Sequence, residues 1–199
     1  MVLLLAVLTP RPESGELLPT QTSSSSLGYP QVLDEKSEPM ALVIRQLAHG
    51  DAEACDAIVA TLPYHFGDDQ GRRDCAAAVR LQAGHVAEGD DEVVGFLTVE
   101  PRFDDCAEIT WMAVRADQRR KGVGRMLLDR LAADTLAAGR HVLLVLTVSP
   151  SDGPDEIPDG YQATRAFYEA NGFVLARDFA GYWESDTPVL MVRALKEIP

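Results

Sequence analysis

The chain has 199 residues, a formal net charge of -13, three cysteines and four histidines. That length suits one α/β domain with a tail and is too short for two ordinary domains. The acidic balance argues against nucleic-acid binding, because the phosphate backbone repels a protein of that sign, and it suits a cationic substrate. Cys55, Cys75 and Cys106 are odd in number and lack metal-ligand spacing, so they read as reduced thiols. The histidines are scattered without a His-x-x-x-His pair, and no metal site is expected.

Residues 1–39 differ in character from the rest of the chain. Val2 to Leu8 is apolar but short, with no basic residue ahead of it and Thr9-Pro10-Arg11-Pro12 behind it, which does not fit a secretory signal. A membrane span needs roughly 20 apolar residues, so no membrane association and a cytoplasmic location are expected. Thr20 to Ser26 and the acidic run near Asp34 read as linker, making 1–39 a disordered tail or a misassigned start and 40–199 the folded unit.

Alternation from Ala41 to Leu47 predicts a first strand, and Asp51 stands where it can cap a helix that carries Cys55, Ile58, Val59 and Leu62 and stops at Pro63. Gly67-Asp68-Asp69-Gln70 reads as a loop or a helix start, and a second helix is predicted over Asp74 to Leu81. Gly84 to Ala87 and Val93 to Glu100 flank the turn-rich Glu88-Gly89-Asp90-Asp91 as a hairpin, and Pro101 to Asp105 turns into a strand over Cys106 to Arg115.

That strand leads through Ala116-Asp117-Gln118 into Arg119-Arg120-Lys121-Gly122-Val123-Gly124. From Arg125 the period becomes helical, with Leu127, Leu128, Leu131 and Leu136 on one stripe and Gly139 as the terminator. A helix N-terminus offers unpaired amides and the positive end of its dipole, and glycines there let an anion approach, so a phosphate-bearing cofactor is expected. The apolar run His141 to Val148 then predicts a strand parallel to the one before the helix. An acidic loop, a helix over Tyr161 to Ala170 with Ala163, Ala166, Phe167 and Ala170 near its apolar face, and paired strands over Phe173 to Phe179 and Val189 to Leu195 complete the chain.

Two of these segments resemble the GNAT superfamily, the Gcn5-related N-acetyltransferases. Arg119 to Gly124 fits the R/Q-x-x-G-x-G/A pyrophosphate loop, and Phe167-Tyr168-Glu169-Ala170-Asn171-Gly172-Phe173 resembles the F-Y-x-x-x-G-F segment. The resemblance covers Val93 to Phe179, extends to Ala41–Leu81 and stops before Met40. It implies an α/β (α+β) fold, with a mixed central sheet of about six or seven strands flanked by helices and a parallel pair joined by the cofactor-binding helix.

The resemblance also implies acetyl-CoA as co-substrate, with no metal. Loop residues Arg119, Arg120, Lys121, Gly122, Val123, Gly124 and Arg125 would hold its pyrophosphate, and Val114 would contact the pantetheine arm. Tyr168 falls where the family places a tyrosine that protonates the departing thiolate, with a core aromatic as the plainer reading. Glu108 falls where some relatives place the carboxylate that takes the amine proton, directly or through water; Glu100, Asp104 and Asp105 are weaker alternatives. A backbone N–H in Met112 to Val114 would polarise the thioester carbonyl. Tyr161 departs from the asparagine many relatives carry, so that contact is not carried over. Trp111 and Trp183 fit packing better than an acceptor pocket. The activity implied is acetyl transfer to a primary amine on a cationic small molecule or a protein, by a monomer or homodimer; the alternative is a non-catalytic acyl-CoA-binding module.

Overall fold

The computed structural model describes residues 41–66, 69–152, 160–183 and 186–196. The predicted tail and most of the acidic loop before α4, with Asp155, Glu156 and Asp159, lie outside the described residues. Strands β1 (Val43–Gln46), β2 (Ala83–Gly89), β3 (Glu92–Phe103), β4 (Cys106–Val114), β5 (Val142–Val148), β6 (Val174–Asp178) and β7 (Pro188–Ala194) alternate with helices α1 (Ala52–Ala60), α2 (Asp69–Leu81), α3 (Val123–Ala137) and α4 (Tyr161–Ala170). They form one seven-stranded sheet in the order β1-β2-β3-β4-β5-β7-β6. Among the described strands only β4 and β5 run parallel, joined across α3 as the strand–helix–strand pattern requires. Among the described residues, no helix is long and apolar enough to cross a membrane.

Several elements differ from the sequence expectation for local physical reasons. Asp51 does not cap α1 through its side chain. Its carboxylate instead accepts hydrogen bonds from the Ala48 amide at 2.8 Å and from Arg45 at 2.7 and 2.9 Å. Helix α2 begins at Asp69, the helix-start reading of that stretch, and Arg72 and Arg73 reach back to Asp69 and Gln70 across one turn. The hairpin turn narrows to Asp90 and Asp91, both left-handed at φ 51° and 62°, a conformation aspartate tolerates better than most residues.

In α4 the buried residues are Thr164, Arg165 and Tyr168, not the alanine stripe. Arg165 is held inside because its Nη1 donates to the Val148 carbonyl at 2.8 Å. Ala163, Ala166 and Phe167 are thereby left to line a surface cleft.

The irregularity that matters most lies in β4. Thr98 pairs with Trp111 and Val99 with Ile109, so Thr110 is an extra residue in β4, a bulge that bends the strand. Parallel pairing with β5 runs only from Cys106↔Val142 to Ile109↔Val145 and stops there. Beyond it β4 stays with β3 as far as Val114, whereas β5 follows β7 to Val148. The two strands splay, opening the sheet at its centre.

The bulge also fixes which side chains face which helices. Trp111 stacks on Phe66, between α1 and α2, at a centroid distance of 5.8 Å. The next residue, Met112, points the other way and reaches the start of α3. Helix α4 begins beside the α1–α2 connection, where Tyr161 lies 6.1 Å from Tyr64 and 5.8 Å from His65. At its other end Phe167 meets Gly124 at the start of α3. Leu127, Leu128 and Leu131 are buried as their stripe predicts, and Gly139 follows the helix in a left-handed conformation.

Candidate active site

The loop between β4 and α3 makes a short 3-10 turn over Ala116–Gln118 and then passes through two left-handed residues, Arg120 at φ 60° and Gly122 at φ 86°. Gly122 is the N-cap of α3, and its carbonyl accepts the first helical bond from the Met126 amide at 3.0 Å. The amides of Val123, Gly124 and Arg125 precede that bond and point out of the helix end, the arrangement that binds phosphate. They open on a cleft of about 470 Å³ between this turn and Ala163, Ala166 and Phe167 of α4.

The two glycines serve different ends. A Cβ on Gly122 would meet nothing within 4 Å, so glycine is required there by its positive φ and leaves open space over the amides. A Cβ on Gly124 would lie 3.0 Å from two Phe167 ring carbons and 3.3 Å from Met112 Cε. Gly124 therefore lets α3 approach α4 across the splay.

The basic residues also divide. Arg119 is buried and turns inward, its Nε donating to the Val114 carbonyl at 3.1 Å. Lys121 Nζ donates to Gln118 Oε1 at 3.2 Å. Arg120 is exposed at the cleft, and Arg125 sits 3.6 Å from Asp129. Together with the loop amides, Arg120 is the basic side chain best placed to meet an anion entering the cleft.

The Arg115 amide donates to the Val94 carbonyl of β3 at 2.9 Å. Strand alternation then directs the backbone groups of Trp111 and Ala113 towards β3 and those of Met112 and Val114 towards the splay. With the Val114 carbonyl taken by Arg119, the amides of Met112 and Val114 are the donors remaining on that edge.

Tyr168 is fully buried between Phe167 and Phe173, with edge-on ring contacts at 5.4 and 5.1 Å. Its hydroxyl is buried and has no hydrogen-bond partner among the described residues. Burial pushes the phenol well above its ordinary value, so it holds its proton throughout the physiological range.

Glu108 lies on β4 within the parallel-paired segment, opposite Leu144 and before the splay. It is buried, and Arg102 Nε donates to its Oε2. Arg102 also pairs with Glu100 at 3.0 Å, Glu100 accepts from Gln82 Nε2 at 2.8 Å, and the Thr110 hydroxyl donates to Gln82 Oε1. Thr110 meets Thr98, hydroxyl to hydroxyl, at 2.7 Å. The Arg102 guanidinium is raised above its ordinary value, first by the hydrogen bond to Glu108. Glu108 Oε1 is left buried and without a partner among the described residues.

The remaining candidates separate readily. Glu100 belongs to this network, whereas Asp105 is tied to His141 Nδ1 at 2.6 Å, away from the cleft. Trp111 is buried against Phe66, in line with the packing expectation, and Trp183 is half-buried. Cys55 and Cys75 are buried free thiols; burial pushes Cys55 up to about 12 and Cys75 higher still. No group of three potential metal ligands occurs among the described residues.

Sequence reasoning did not single out Gln82, Thr98, Arg102 or Thr110. Thr98 and Thr110 carry a usable signal, since each is a polar residue inside an apolar strand and would need a buried partner. Arg102 carries none, because its contact with Glu108 depends on the register across the β3–β4 turn.

The family model for the acetyltransferase (GNAT) domain matches residues 81–175, a span that runs from the end of α2 to β6 and includes β4, the loop, α3 and α4. A GNAT-family structure from Desulfovibrio desulfuricans aligns with a TM-score of 0.67 at 22% identity, covering 78% of this chain and 100% of that one. The ribosomal-protein-S18-alanine N-acetyltransferase from Escherichia coli aligns at 0.61 and 18% identity, covering 80% and 97%. An aminoglycoside 6'-N-acetyltransferase complexed with coenzyme A aligns at 0.61 and 17% identity, covering 79% and 99%. No curated protein matches the sequence. At these identities the structural likenesses establish the fold, and the family match places an acetyltransferase (GNAT) domain at residues 81–175, the stretch that holds the strand, loop and helices building the cleft.

Proposed function

We propose that the protein transfers an acetyl group directly from acetyl-CoA to a primary amine, with both substrates bound together. The observation that carries this reading is Tyr168, a buried phenol whose hydroxyl has no partner among the described residues, set on the helix that walls the cleft at the α3 N-terminus. A polar group so placed costs stability and needs a reason to be kept.

The cleft fits the cofactor's chemistry. The open space over Gly122 and the outward amides of Val123, Gly124 and Arg125 suit a pyrophosphate, with Arg120 adding charge. The apolar wall of Ala163, Ala166 and Phe167 suits the pantetheine arm, and the backbone of Val114, which lines the same cleft, can hydrogen-bond along it. Bound acetyl-CoA supplies an activated thioester carbonyl. On the protein's side, an amide on the splayed β4 edge polarises that carbonyl, and Tyr168 donates its proton to the leaving sulfur. The amine must be neutral to attack, and Glu108 Oε1, held in place while Arg102 occupies Oε2, accepts its proton directly or through water.

The net charge of -13 favours a cationic acceptor. Two structural neighbours bear names that point to a protein alanine and to an aminoglycoside, and both classes suit this reading. The test is acetylation of an amine panel, with aminoglycosides, polyamines and peptides, followed by mass detection. An increase of one acetyl mass on an amine supports transfer. Acetyl-CoA binding without any acetylated amine or released CoA would favour an acyl-CoA-binding module instead.

A further inference from the structure

The half of the sheet formed by β5, β7 and β6 has two unlike faces. On one, Leu143, Val145, Val189 and Met191 are buried in the core. On the other, Leu144 and Leu146 of β5 and Leu190 and Val192 of β7 stay half-buried, and Val174 of β6 is 63% exposed. Leu144, Leu190 and Val192 take no part in the core, and on their side of the sheet α1 and α2 pack against β3 and β4 instead.

Register ties this open aliphatic face to the candidate site. Glu100 pairs with Glu108, Glu108 with Leu144, Leu144 with Val192 and Val192 with Val174, so these five side chains stand in one row on one face. The next row runs Leu146, Leu190, Arg177, and Leu146 is the first residue of β5 beyond the parallel pairing, at the edge of the splay. Strands lie about 4.8 Å apart, so the first row changes from carboxylate to aliphatic within one strand and stays aliphatic for about 10 Å more. At the acidic end Glu108 is buried, whereas the Glu100 side chain is 37% exposed and open to a solute.

That gradient selects among amines. A single ammonium at the acidic end with an apolar body beyond it matches the row. A polycation does not, because its second charge would lose water over aliphatic carbon, with Arg177 standing beyond Leu190. Building on the transfer reading above, we propose that the open face of β5 and β7 is the floor of the acceptor site and takes a monoamine on an alkyl or aryl body. Its ammonium meets Glu100, and its body lies along Leu144, Val192 and Val174.

The probes are n-butylamine, n-hexylamine and n-octylamine, titrated into the full-length protein while backbone amide shifts are followed by NMR. Saturable shifts are expected at Leu144, Leu190 and Val192, with affinity rising about two- to fourfold per added methylene. 1,6-Diaminohexane, which adds a second ammonium to the far end of the hexyl chain, should bind about tenfold more weakly than hexylamine. Val192→Thr, which keeps the branched shape and adds a hydroxyl, should weaken octylamine about threefold or more while still binding acetyl-CoA, which shows the variant to be folded. Affinity that does not change with chain length, equal binding of the diamine, or shifts confined to other amides overturns the proposal. Shifts of these same amides that follow protein concentration and ignore the amine would give the face to a second copy of the chain, and would overturn it too. Turnover separates the two readings: acetylation of the diamine in preference to hexylamine overturns this proposal and leaves acetyl transfer standing, whereas alkylamines that bind on the floor without any acetylation count against transfer alone.

Discussion

Replacing Tyr168 with phenylalanine tests structure and chemistry at once, because the two predict opposite effects. The ring is fully buried and contacts Phe167 and Phe173, so Tyr168→Phe preserves the packing. Its hydroxyl has no partner among the described residues, and a buried unpaired polar group costs about 1–3 kcal/mol. Removing it should stabilise the free protein by about 1 kcal/mol, raising Tm by roughly 2–4 °C for a chain of this size. The same change removes the proposed proton donor, a role worth about a hundred- to ten-thousand-fold in rate. Thermal denaturation without ligand, acetyl-CoA affinity and steady-state turnover together give the answer. Higher Tm, unchanged affinity and a large loss in kcat support the assignment. A lower Tm would show that the hydroxyl has a structural partner, and an unchanged kcat would falsify the general-acid role.

The glycines of the loop should respond differently to alanine. Gly122→Ala meets no clash but must hold a left-handed residue, costing about 1–2 kcal/mol and weakening acetyl-CoA binding, as calorimetry would show. Gly124→Ala presses on Phe167, an overpacking cost of about 1–3 kcal/mol that Phe167→Leu in the same chain should partly relieve; simple additivity in denaturant melts would contradict the contact. Glu108→Gln keeps an oxygen for Arg102 but loses the base, so kcat should fall while Tm changes little; full turnover at neutral pH would assign the proton to water alone. Asp51 and Asp117 carboxyls are held below their ordinary value, chiefly by hydrogen bonds from Arg45 and Arg115. As pH falls below about 4 the unfolded chain takes up protons first, so the stability these pairs provide is complete above that pH and lost below it. Urea midpoints measured between pH 6 and pH 3 should therefore decline, and a flat profile would remove the inference.

How far the sequence could be read depended on the range of the interactions involved. The hydrophobic stripe of α3, the strand–helix–strand parallel unit and the ends of α4 were legible because they rest on local periodicity and terminating glycines. The turn into α3 was legible from its glycines, yet the division of labour among the loop residues was not. Whether Arg119 turns inward, or Gly124 faces a ring on α4, depends on contacts made after the helices pack. The α4 face was misread for a related reason. Alanines at helical spacing read as core, but they border a cleft, while a threonine and an arginine go inside because the Val148 carbonyl receives Arg165.

The bulge at Thr110 links these observations into one cause. Had β4 lacked the extra residue, every side chain beyond it would change faces, so Trp111 would leave Phe66 and Met112 would leave Gly124. The same extra residue bends β4 away from β5 where parallel pairing stops, which leaves the backbone edge at Met112 and Val114 outside the β4–β5 ladder at the centre of a sheet. Unpaired backbone groups inside a protein are costly, and the chain covers the Val114 carbonyl on that edge with Arg119. Thr110 is itself secured by hydroxyl contacts to Gln82 and Thr98, so the bulge is tied into the network that carries Glu108. One inserted residue thus accounts for the gap between β4 and β5 and for the anchorage of the proposed base. The position of Glu108 and the opening of the splay are for this reason coupled, and a change at Thr110 should disturb both together.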